Sequence, residues 1–558
     1  MNKCTALQTF AFPNLEIKAD RELYVRFGSA RVLPRLENSI LTFQPFGEAS
    51  FDTFFNGFSV GVWKQNCKID DLIFRLSGSG RFILKFGLHR LGHSRRWLAE
   101  HDIILDPQRD TPIELAFWPQ LDDGILYVYL TAISEGYVAS GCFETKTKPQ
   151  RDIKLGIVVT HFNRKQYVVP AIRRLKAGLL SDPDYKDHID LVVVDNSQNL
   201  TQAEADGATL IPNQNLGGSG GFTRGLLHLE ADGSFTHCLF MDDDASCEIE
   251  SIRRCHRLLS FASKENFAVA GSMLRELEPS RLFEKGATYK KSWKALKSGL
   301  NMMNTNDLLL AEKVTDAPDY GAWWFFGFAL ADVNHYPFPF FVRGDDIMFG
   351  LMNKFHICTM NGISTWGEDF SLKSGPLPFY FDVRHRIILD MVLTNRGVYK
   401  TTRMLIKLFK QQLFSYNYAS AMAVSLALEH VTRGPQFFVD NIDMKSVFPI
   451  FANFEPKEKL FPINREDYEL EFPRLKKRHL LHRIAQKITL NGNLAPTLLL
   501  KDRVVLQKKD FSGNHNEIYG YKSVLYEYEP QKIGYLAHQN QKLFIINLGA
   551  GLDRVTVL

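Results

Sequence analysis

The sequence predicts an α/β protein with three domains, because the pattern of its apolar residues changes twice along the chain. Short aromatic-rich strands fill residues 1–150, Val- and Ile-rich strands alternate with helices over 151–398, and residues 399–558 begin as helices. Continuous apolar strands that alternate with helices are typical of a parallel sheet covered on both faces. We therefore expect an N-terminal β-sandwich of jelly-roll type, a central α/β domain and a mainly helical C-terminal domain.

The N-terminal part contains short strands separated by turn-forming segments such as SGSG (77–80) and DDG (122–124). Strands at this spacing, almost without helical periodicity, favour a β-sandwich or a jelly roll. The polar stretch 144–151 is typical of a linker. The predicted strands are 23–27, 72–76, 81–86, 113–117 and 125–130.

The central part begins with an apolar strand at 155–160, followed by an amphipathic helix and a second buried strand at 189–194. A third strand is expected at 236–241 after another helix. This recurrence of strand, helix and strand indicates one parallel sheet with helices on both faces. Further on, helices are predicted at 402–413 and 419–430, before a Pro- and Phe-rich connection and a basic segment.

Composition excludes several classes of protein. Of the 558 residues, 45% are hydrophobic and 23% are charged, which separates the chain from disordered proteins. A net charge of +5 without a known binding motif disfavours nucleic acid as a partner. The seven cysteines show no CxxC spacing, which disfavours a disulfide framework or a zinc site. The N-terminus does not resemble a signal peptide and no apolar run approaches the ~20 residues of a membrane span, so we expect a cytoplasmic protein, soluble or peripheral.

Polar segments follow the predicted strands, at the edge where open parallel sheets bind ligands. The first strand runs into THFNR (160–164), whose Arg164 is suited to a phosphate, and the second into DNSQ (195–198), suited to a base or a ribose. A glycine-rich segment, 213–224, then leads into a helix, where a ligand can approach the backbone closely. Taken alone, GGSGG is equally consistent with a flexible turn, because it has neither P-loop nor GxGxxG spacing.

Three adjacent carboxylates, Asp242, Asp243 and Asp244, directly follow the third strand. They repel one another, so a bound cation is the natural explanation. In an extended turn Asp242 and Asp244 point the same way, toward one hard divalent ion, whereas Asp243 points elsewhere. A solvated acidic turn is the alternative interpretation.

The order of these motifs, THFNR, VVDNS, NLGGSGG and MDDDA, resembles the family 2 glycosyltransferases of the Rossmann-like GT-A fold. More narrowly, it is similar to the bacterial galactofuranosyltransferases that polymerise galactan, such as the mycobacterial arabinogalactan enzymes. The similarity continues through GAWWF (321–325), FVRGDDI (341–347), GISTW (362–366) and YFDVRHR (380–386). It covers residues 155–395 by motif and the whole chain by architecture, since these enzymes also carry an N-terminal β-sandwich and a helical C-terminal region.

The resemblance implies a donor and a metal cofactor. The donor would be UDP-galactofuranose, and Asp242 and Asp244 would hold Mn²⁺ or Mg²⁺ on its diphosphate. A metal at this place stabilises the charge that develops on the departing diphosphate. The implied donor-binding residues are Thr160, Arg164, Asn196, Asn215, Gly217, Gly218 and Asp243.

The resemblance also implies an acceptor site and a general base. Trp323 and Trp324 would line the acceptor site with Glu284 nearby, and Asp346 would be the base, with Asp345 next in line. A sugar hydroxyl must lose its proton as it attacks the anomeric carbon, and one direct displacement inverts that centre. Each assignment has a structural alternative: core packing for the tryptophans, a helix N-cap for one aspartate and a surface charge for Glu284.

One departure from the family concerns the metal. Family members usually have Trp-His after Gly-Ile-Ser, and the histidine completes the metal shell, whereas this chain has Gly367 after the tryptophan. The third protein ligand is therefore open between Glu368, Asp369, His385 and water.

The basic segment 474–487 contains no Asp or Glu and could place Leu475, Leu480, Leu481 and Ile484 on one side. Such a segment suits an anionic membrane surface, where a lipid-linked glycan acceptor would be presented. The expectation is peripheral contact at the cytoplasmic face of the inner membrane; a solvated helix face is the alternative, and assembly into a homo-oligomer is left open.

The sequence thus predicts an inverting, metal-dependent galactofuranosyltransferase that builds a cell-surface galactan or O-antigen. Two other functions are weighed against it. The same fold could use another nucleotide sugar, such as a rhamnosyl donor. The chain could also be a non-catalytic glycan-binding protein with the β-sandwich as its functional part. The missing histidine favours this interpretation, and the intact acidic motifs at 242–244 and 345–346 disfavour it.

Overall fold

The structure is a computed structural model that falls into two compact units. The first unit comprises Met1–Phe338 and Asp346–Glu368, and the second comprises Pro339–Asp345 and Asp369–Leu558. The first unit therefore holds both the N-terminal strands and the α/β sheet, and the second holds the C-terminal helices. The residues described are 4–17, 19–244, 246–290, 292–368, 373, 375–394, 397–453, 458–472, 480–508, 516–528 and 532–555.

Antiparallel strands that share one long member make up the N-terminal part. Their order is β2-β5-β10-β7-β11-β4-β3, with β1 on β11, β6 on β10, and β8 and β9 on β7. Phenylalanine rings that are distant in sequence pack against one another in this part of the protein, and Phe10 stacks on Phe51. The elements are β1 (Thr5–Thr9), β2 (Arg26–Phe27), β3 (Val32–Arg35), β4 (Ile40–Phe43), β5 (Glu48–Ser50), β6 (Phe58–Ser59), α1 (Val60–Asn66), β7 (Ile73–His89), β8 (Arg96–Leu105), β9 (Thr111–Glu114), β10 (Ile125–Ala132) and β11 (Gly136–Thr145).

The turn predicted at 77–80 is wrong, because β7 runs through this segment as one strand of 17 residues. Its first half pairs with β11 and its second half with β10 and β8. Gly78 and Gly80 allow this change of partners. A Cβ on Gly78 would lie 2.1 Å from the Tyr137 carbonyl oxygen, and Gly80 has a φ of +109°. The glycines therefore bend a strand instead of ending it.

The central sheet has the order β14-β13-β12-β15-β22-β17-β23. The strands from β14 to β15 are parallel, as predicted, but β22 runs antiparallel between β15 and β17. Helices and strands of this region are β12 (Leu155–His161), α2 (Lys165–Leu175), β13 (Ile189–Asp195), β14 (Thr209–Pro212), α3 (Gly217–Asp232), β15 (His237–Asp242), β16 (Ser246–Cys247), α4 (Ile249–Phe261), β17 (Phe267–Ala270), β18 (Ser272–Arg275), β19 (Leu282–Glu284), β20 (Ala287–Tyr289), β21 (Trp293–Ala295), α5 (Thr305–Glu312), β22 (Phe326–Ala329), α6 (Asp345–Asn353), β23 (His356–Cys358) and β24 (Ser364–Gly367).

A shared core joins the N-terminal strands to the α/β region. Tyr24, Phe55 and Ile125 belong to the same buried cluster as Leu274 and Trp366. The rings of Phe55 and Trp366 lie 5.7 Å apart. Because burial of this apolar surface stabilises both parts together, the predicted N-terminal domain and most of the predicted central domain pack together within the first unit, whereas residues 369–398 of the central domain belong to the second.

The second unit combines helices with a five-stranded sheet of order β25-β29-β28-β27-β26. One apolar cluster lies among its first helices and another between its sheet and helices. Among the described residues, no helix is both long and apolar enough to cross a membrane. The elements are α7 (Pro376–Leu393), α8 (Val398–Phe414), α9 (Tyr418–Thr432), α10 (Pro435–Asp440), α11 (Phe448–Ala452), β25 (Phe461–Pro462), β26 (Leu470–Glu471), α12 (Leu480–Ile488), β27 (Lys501–Lys508), β28 (Tyr521–Tyr528), β29 (Ile533–His538) and α13 (Gln541–Val555).

The glycines of α3 let this helix pack closely against β12. A Cβ on Gly221 would lie 2.2 Å from Thr160 Cγ2, and one on Gly225 would lie 2.2 Å from Val158 Cγ1. By contrast, nothing lies within 4 Å of the position that a Cβ on Gly218 would take. Part of the glycine-rich segment therefore serves the contact between helix and strand, and Gly218 keeps open space beside the helix N-terminus.

Gly221→Ala should lower the free energy of unfolding by about 1–3 kcal/mol, because its Cβ overpacks the contact with Thr160. Gly218→Ala is the matched control, and it should be neutral or slightly stabilising since alanine is the better helix former. Denaturant unfolding followed by circular dichroism measures the difference. Equal stabilities of the two variants would contradict this packing.

Candidate functional site

The pairing of three neighbouring strands brings the predicted donor motifs to one edge of the central sheet. Strand β12 lies between β13 and β15, with His161 opposite Asp195 and Thr160 opposite Asp242. The strands are parallel, so their carboxyl ends meet, and the polar segments that follow them lie side by side. The order of the motifs along the chain predicts this edge. The register adds that Asp195 and Asp242 lie opposite neighbouring residues of β12, so the segments that follow the three strands are close together.

The segment after β13 is held by a dense set of hydrogen bonds. The Asp195 carboxylate accepts bonds from the backbone N–H groups of Ser197, Asn199 and Leu200 at 2.8–2.9 Å. Burial acts to raise the pKa of Asp195, but the bonds from Leu200 and Ser197 outweigh it and lower the pKa. Asp195 is therefore an ionised anchor that fixes the position of Asn196.

Asn196 and Asn215 connect this segment to the start of α3. Asn196 Nδ2 donates to the Gly217 carbonyl at 3.0 Å, and the Gly217 N–H donates to Asn215 Oδ1 at 3.0 Å. Asn213 Nδ2 donates to Asn196 Oδ1 at 2.8 Å. The structure thus brings three predicted donor-binding residues together at a helix N-terminus, a position that favours anions.

Two basic side chains balance part of the negative charge of the acidic loop, Asp242–Asp244. Arg164 forms an ion pair with Asp244, and its Nη1 lies 3.6 Å from Asp243 Oδ1. His161 Nδ1 lies 3.2 Å from Asp243 Oδ2, and the Phe162 N–H donates to the same oxygen at 3.3 Å. The carboxylates therefore act as partners of protein cations, which excludes the interpretation of a solvated acidic turn for Asp243 and Asp244.

The acidic loop also changes the pKa of both basic groups. Burial acts to lower the pKa of His161, but its bonds to Asp243 and Asn199 outweigh this effect and raise the pKa. Burial likewise opposes the charge of Arg164, and Asp244 and Asp243 more than compensate, so the pKa of Arg164 is raised. Both groups are therefore favoured in the charged form beside the loop.

The donor set of the acidic loop fits a hard divalent cation. Asp242 and Asp244 supply carboxylate oxygens, and Mg²⁺-like ions in nucleotide sites commonly use one or two carboxylates together with phosphate oxygens. Within the described part of the chain, no group of three His, Cys, Asp or Glu side chains could hold a metal ion. The metal site at Asp242 and Asp244 stays a prediction, and it requires ligands from the diphosphate or from water.

A second small sheet places Gly367 beside the acidic loop. Its order is β16-β24-β18-β19, and Ser246 of β16 pairs with Trp366 of β24. Because the two strands are antiparallel, Gly367, which follows Trp366, lies toward the end of β16 at which the acidic loop enters the strand. The nearest atoms to a Cβ on Gly367 would belong to the flexible side chain of Met273, with Cε at 2.8 Å. The motif alignment that places Gly367 near the predicted metal is consistent with this register.

The other candidates for a third metal ligand differ in their surroundings. Glu368 directly follows β24 and is partly buried, whereas Asp369 lies outside the described residues. His385, in the second unit, is buried, and its Nε2 accepts a hydrogen bond from Arg384 Nε at 3.1 Å. Burial and Arg384 hold the pKa of His385 well below its usual value.

Glu284 is a buried carboxyl group rather than a surface charge. Glu284 pairs with Met273, Met273 pairs with Thr365, and Thr365 pairs with Cys247 of β16, the strand that follows the acidic loop. Three steps between neighbouring strands therefore separate Glu284 from Cys247, a distance of about 14 Å. The Glu284 side chain accepts a bond from Trp293 Nε1 at 3.2 Å. Burial raises the pKa of Glu284 to about 8, so the group is mainly protonated at neutral pH.

Tyr320 links Glu284 to the predicted base. Burial raises the pKa of Tyr320 well above its usual value, and the carboxylates of Glu284 and Asp346 add to the rise. Asp346 is half-buried in the first turn of α6, and its Oδ1 accepts from the Ile347 N–H at 2.8 Å. The neighbouring Asp345 is buried at the first residue of the helix. The structure thus brings Glu284, Trp293, Tyr320 and Asp346 into one region of the first unit.

Trp323 and Trp324 come to the same edge of the sheet as the acidic loop, because they precede β22 and Phe326 pairs with Phe240. Both side chains are buried. Trp323 packs among Phe222, Phe240 and Phe349, in the core of the sheet. Trp324 Nε1 donates to the Gly271 carbonyl at 3.0 Å. Their role in an acceptor site stays a prediction.

Sequence reasoning did not single out three residues of this region. His161 belongs to the quoted motif THFNR, so its position at a strand end was a usable signal. Trp293 and Tyr320 are brought in by short strands and loops between β19 and β22, and nothing in their local pattern indicates a site.

The motifs have counterparts in known proteins. Residues 156–310 match the sequence profile described as Glycosyl transferase family 2. The chain carries a family 2 glycosyltransferase domain. This domain spans the donor edge of the sheet, from β12 to α5, and includes the acidic loop. Together with the order of the sheet, it confirms the predicted α/β fold of GT-A type.

Two curated relatives extend the similarity beyond that domain. Galactofuranosyltransferase GlfT2 of Mycobacterium tuberculosis is 28% identical over 377 residues, or 61% of this chain and 58% of the relative. GlfT2 of Mycolicibacterium smegmatis is 25% identical over 428 residues, or 70% of this chain and 65% of the relative. The matched region thus spans about six tenths of the length of these relatives.

Solved structures of glycosyltransferases are more distant in sequence. Mannosyltransferase PcManGT from Pyrobaculum calidifontis, in complex with GDP-Man and Mn²⁺, is 13% identical, covers 55% of this chain and 83% of its own, and has a TM-score of 0.31. GalNAc-T7 with UDP, GalNAc and Mn²⁺ is 8% identical, covers 57% of this chain and 62% of its own, and has a TM-score of 0.32.

Glu284→Gln should remove a pH dependence of stability. The pKa of Glu284 is raised from 4.5 to about 8 in the folded protein, so the folded chain binds more protons than the unfolded chain between these values. The contribution of Glu284 to the stability of the wild-type protein therefore falls as the pH rises through this window. The melting temperature of Glu284→Gln relative to wild type should increase from pH 5 to pH 8.

Glu278→Gln is the matched control, because the Glu278 side chain is 53% exposed and belongs to the same segment of the chain. Its melting temperature should keep a constant offset from wild type over the same range. A constant offset for Glu284→Gln as well would contradict the burial of its carboxyl group.

Proposed function

We propose that the protein is an inverting, metal-dependent galactofuranosyltransferase that uses UDP-galactofuranose as donor. The observation that carries the proposal is the acidic loop at the carboxyl edge of a family 2 domain, where Arg164 and His161 meet Asp243 and Asp244. The similarity to two galactofuranosyltransferases supports the choice of the sugar.

The donor would lie across the ends of β12, β13 and β15. Asn196 and Asn215 are held at the start of α3, where Gly218 leaves open space beside a helix N-terminus, a position that favours anions. Arg164 brings a cation to the same edge and can offset charge on the diphosphate. Thr160, beneath the helix, sets how closely α3 approaches the sheet.

A divalent cation, Mn²⁺ or Mg²⁺, would be held by Asp242 and Asp244. When bound, it would supply stabilisation of the negative charge on the departing diphosphate. The family histidine is replaced by Gly367, so this chain would hold the ion with fewer protein ligands and more water than its relatives.

The acceptor hydroxyl would be deprotonated by Asp346. Asp346 is half-buried at the start of α6, and its charge contributes to the raised pKa of the buried Tyr320, so the two side chains belong to one region. Glu284 is mainly protonated at neutral pH and would donate rather than accept. A proton acceptor on one side and a leaving diphosphate on the other is the arrangement that inversion requires.

The acceptor would be a glycan, presented on a lipid at the cytoplasmic face of the inner membrane. Helix α12 exposes Leu480, Leu481 and Ile488 by 71–79%, and Leu498 in the following loop is 93% exposed. Arg483 and Lys487 lie on the same helix. Exposed leucines beside basic residues are suited to the surface of an anionic bilayer. The predicted residues 474–479 lie outside the described part of the chain.

Incubation with UDP-galactofuranose, Mn²⁺ and synthetic galactofuranosyl acceptors tests the donor and the reaction. We expect an acceptor extended by one or more hexose units, observed by mass spectrometry, with release of UDP. A rhamnosyl donor in a parallel reaction tests the other nucleotide sugar. Glycan binding without transfer from any donor would support the non-catalytic function instead.

Asp346→Asn should lower kcat by at least about 10²-fold, since it removes the proton acceptor. The affinity for UDP should stay within about two-fold of wild type, because Asp346 belongs to α6 and not to the donor edge. Asp316→Asn, at an exposed aspartate, is the control and should leave both quantities unchanged. Wild-type kcat in Asp346→Asn would move the base elsewhere, with Asp345 as the next candidate.

A further inference from the structure

The N-terminal sheet carries a pair of aromatic rings, one of them exposed and the other half-buried. Trp97 of β8 and Tyr129 of β10 stand at 74° to one another, with ring centroids 5.8 Å apart. Trp97 is 41% exposed. A tryptophan ring offers a large apolar area, so one that is partly exposed on a sheet is available to pack against a ligand. We call Trp97, Tyr129 and the underlying Tyr127 the aromatic corner.

The aromatic corner is fixed from below. Tyr127 lies flat on the sheet over Gly87, where an added Cβ would approach its ring to 2.3 Å. Gly87 pairs with Tyr127 on one side and with Trp97 on the other. His89 stacks on Tyr127 at 4.5 Å and 11°, and its Nε2 lies 3.1 Å from Asp52 Oδ2. These contacts hold the rings in place before any ligand binds, which reduces the entropic cost of binding.

Charged side chains of both signs surround the aromatic corner. Lys85 Nζ lies 2.8 Å from Glu100 Oε2, and the Arg95 guanidinium lies 4.6 Å from the centre of the Trp97 ring. Glu48 approaches Tyr129 over Gly28. Cations and anions lie side by side here, and Asp52 beneath them pairs with Arg26 and His89. They offer hydrogen-bond donors and acceptors around an apolar ring face, which is complementary to a neutral polyol.

The aromatic corner begins where the N-terminal strands meet the α/β region. Ile125 of β10 lies in the shared core with Trp366, the neighbour of Gly367. Tyr127 and Tyr129 follow on the same face of β10, about 7 and 13 Å further along the strand. A chain-like ligand on the corner would therefore be held by the same rigid body that carries the family 2 domain.

We propose that the aromatic corner binds the glycan that the catalytic domain extends, as a neutral oligosaccharide. The C–H face of a sugar ring would pack on Trp97, and its hydroxyls would bind Lys85, Glu100 and Glu48. The identity of the glycan rests on the proposed function, whereas saccharide binding by the aromatic corner does not. The surface would retain the acceptor chain at a distance from the reacting end.

Calorimetric titration of the intact protein, without donor, tests the proposal with two probes, a galactofuranose hexasaccharide and a rhamnose hexasaccharide. Trp97→Ala should weaken binding of the galactofuranose probe by at least about ten-fold. Trp97→Phe keeps a ring and should stay within about three-fold of wild type. Ile104→Ala is the matched control, since Ile104 is 74% exposed on the same strand, and it should bind as wild type does.

Equal affinity of wild type and Trp97→Ala, or no binding of either hexasaccharide, would overturn the proposal. Trp97-dependent binding of the rhamnose probe alone would support the surface and reassign its glycan. Failure of sugar transfer in the donor screen would refute the proposed function while these affinities still report on the aromatic corner. Melting temperatures of the variants within about 2 °C of wild type show that Trp97 acts through binding and not through folding.

Discussion

The pairing of Arg164 and His161 with the acidic loop is the interaction on which the candidate site depends. The carboxylates of Asp195, Asp242, Asp243 and Asp244 meet at one edge of the central sheet, and they would repel one another without positive charge or hydrogen-bond donors beside them. Hydrogen bonds keep Asp195 ionised, and the two basic side chains at the end of β12 compensate Asp243 and Asp244. Because β12 lies between β13 and β15, the basic side chains that follow it lie close to the carboxylates at the ends of both neighbouring strands.

This arrangement also explains how a cation and a nucleoside diphosphate would bind together. Arg164 pairs with Asp244 in the protein alone, so a divalent cation at this loop would compete with Arg164 for the same carboxylate. An arriving diphosphate would give Arg164 a new anionic partner and would give the cation additional oxygen ligands. The cation and the nucleotide should therefore assist each other's binding at this edge.

Much of the fold and of the donor edge could be predicted from the sequence, because both depend on local patterns. The apolar strands at 155–160, 189–194 and 236–241 correspond to β12, β13 and β15, and their order along the chain places their polar ends together. The turn that the sequence predicts at the glycines of β7 is wrong, since a bend within a strand and a turn between strands have the same local composition. The direction of β22 depends on long-range pairing, which no local pattern shows.

The acceptor side was less predictable. Glu284 was assigned by resemblance with a surface charge as the alternative, and its burial depends on β19, Trp293 and the small sheet around it. Tyr320 comes from a loop without periodicity. The aromatic corner is likewise a product of register, because Trp97, Tyr127 and Tyr129 are distant in sequence and meet only through pairing with β7.

Calorimetric titration of UDP in the presence of Mn²⁺ and in the presence of a chelator tests the central claim, that the acidic loop holds a cation together with a nucleoside diphosphate. The account predicts at least about ten-fold tighter binding of UDP with Mn²⁺ in wild type. It predicts no such gain in Asp244→Ala, which lacks one of the two carboxylate ligands. An equal affinity for UDP with Mn²⁺ and with chelator, in folded wild-type protein, would contradict it.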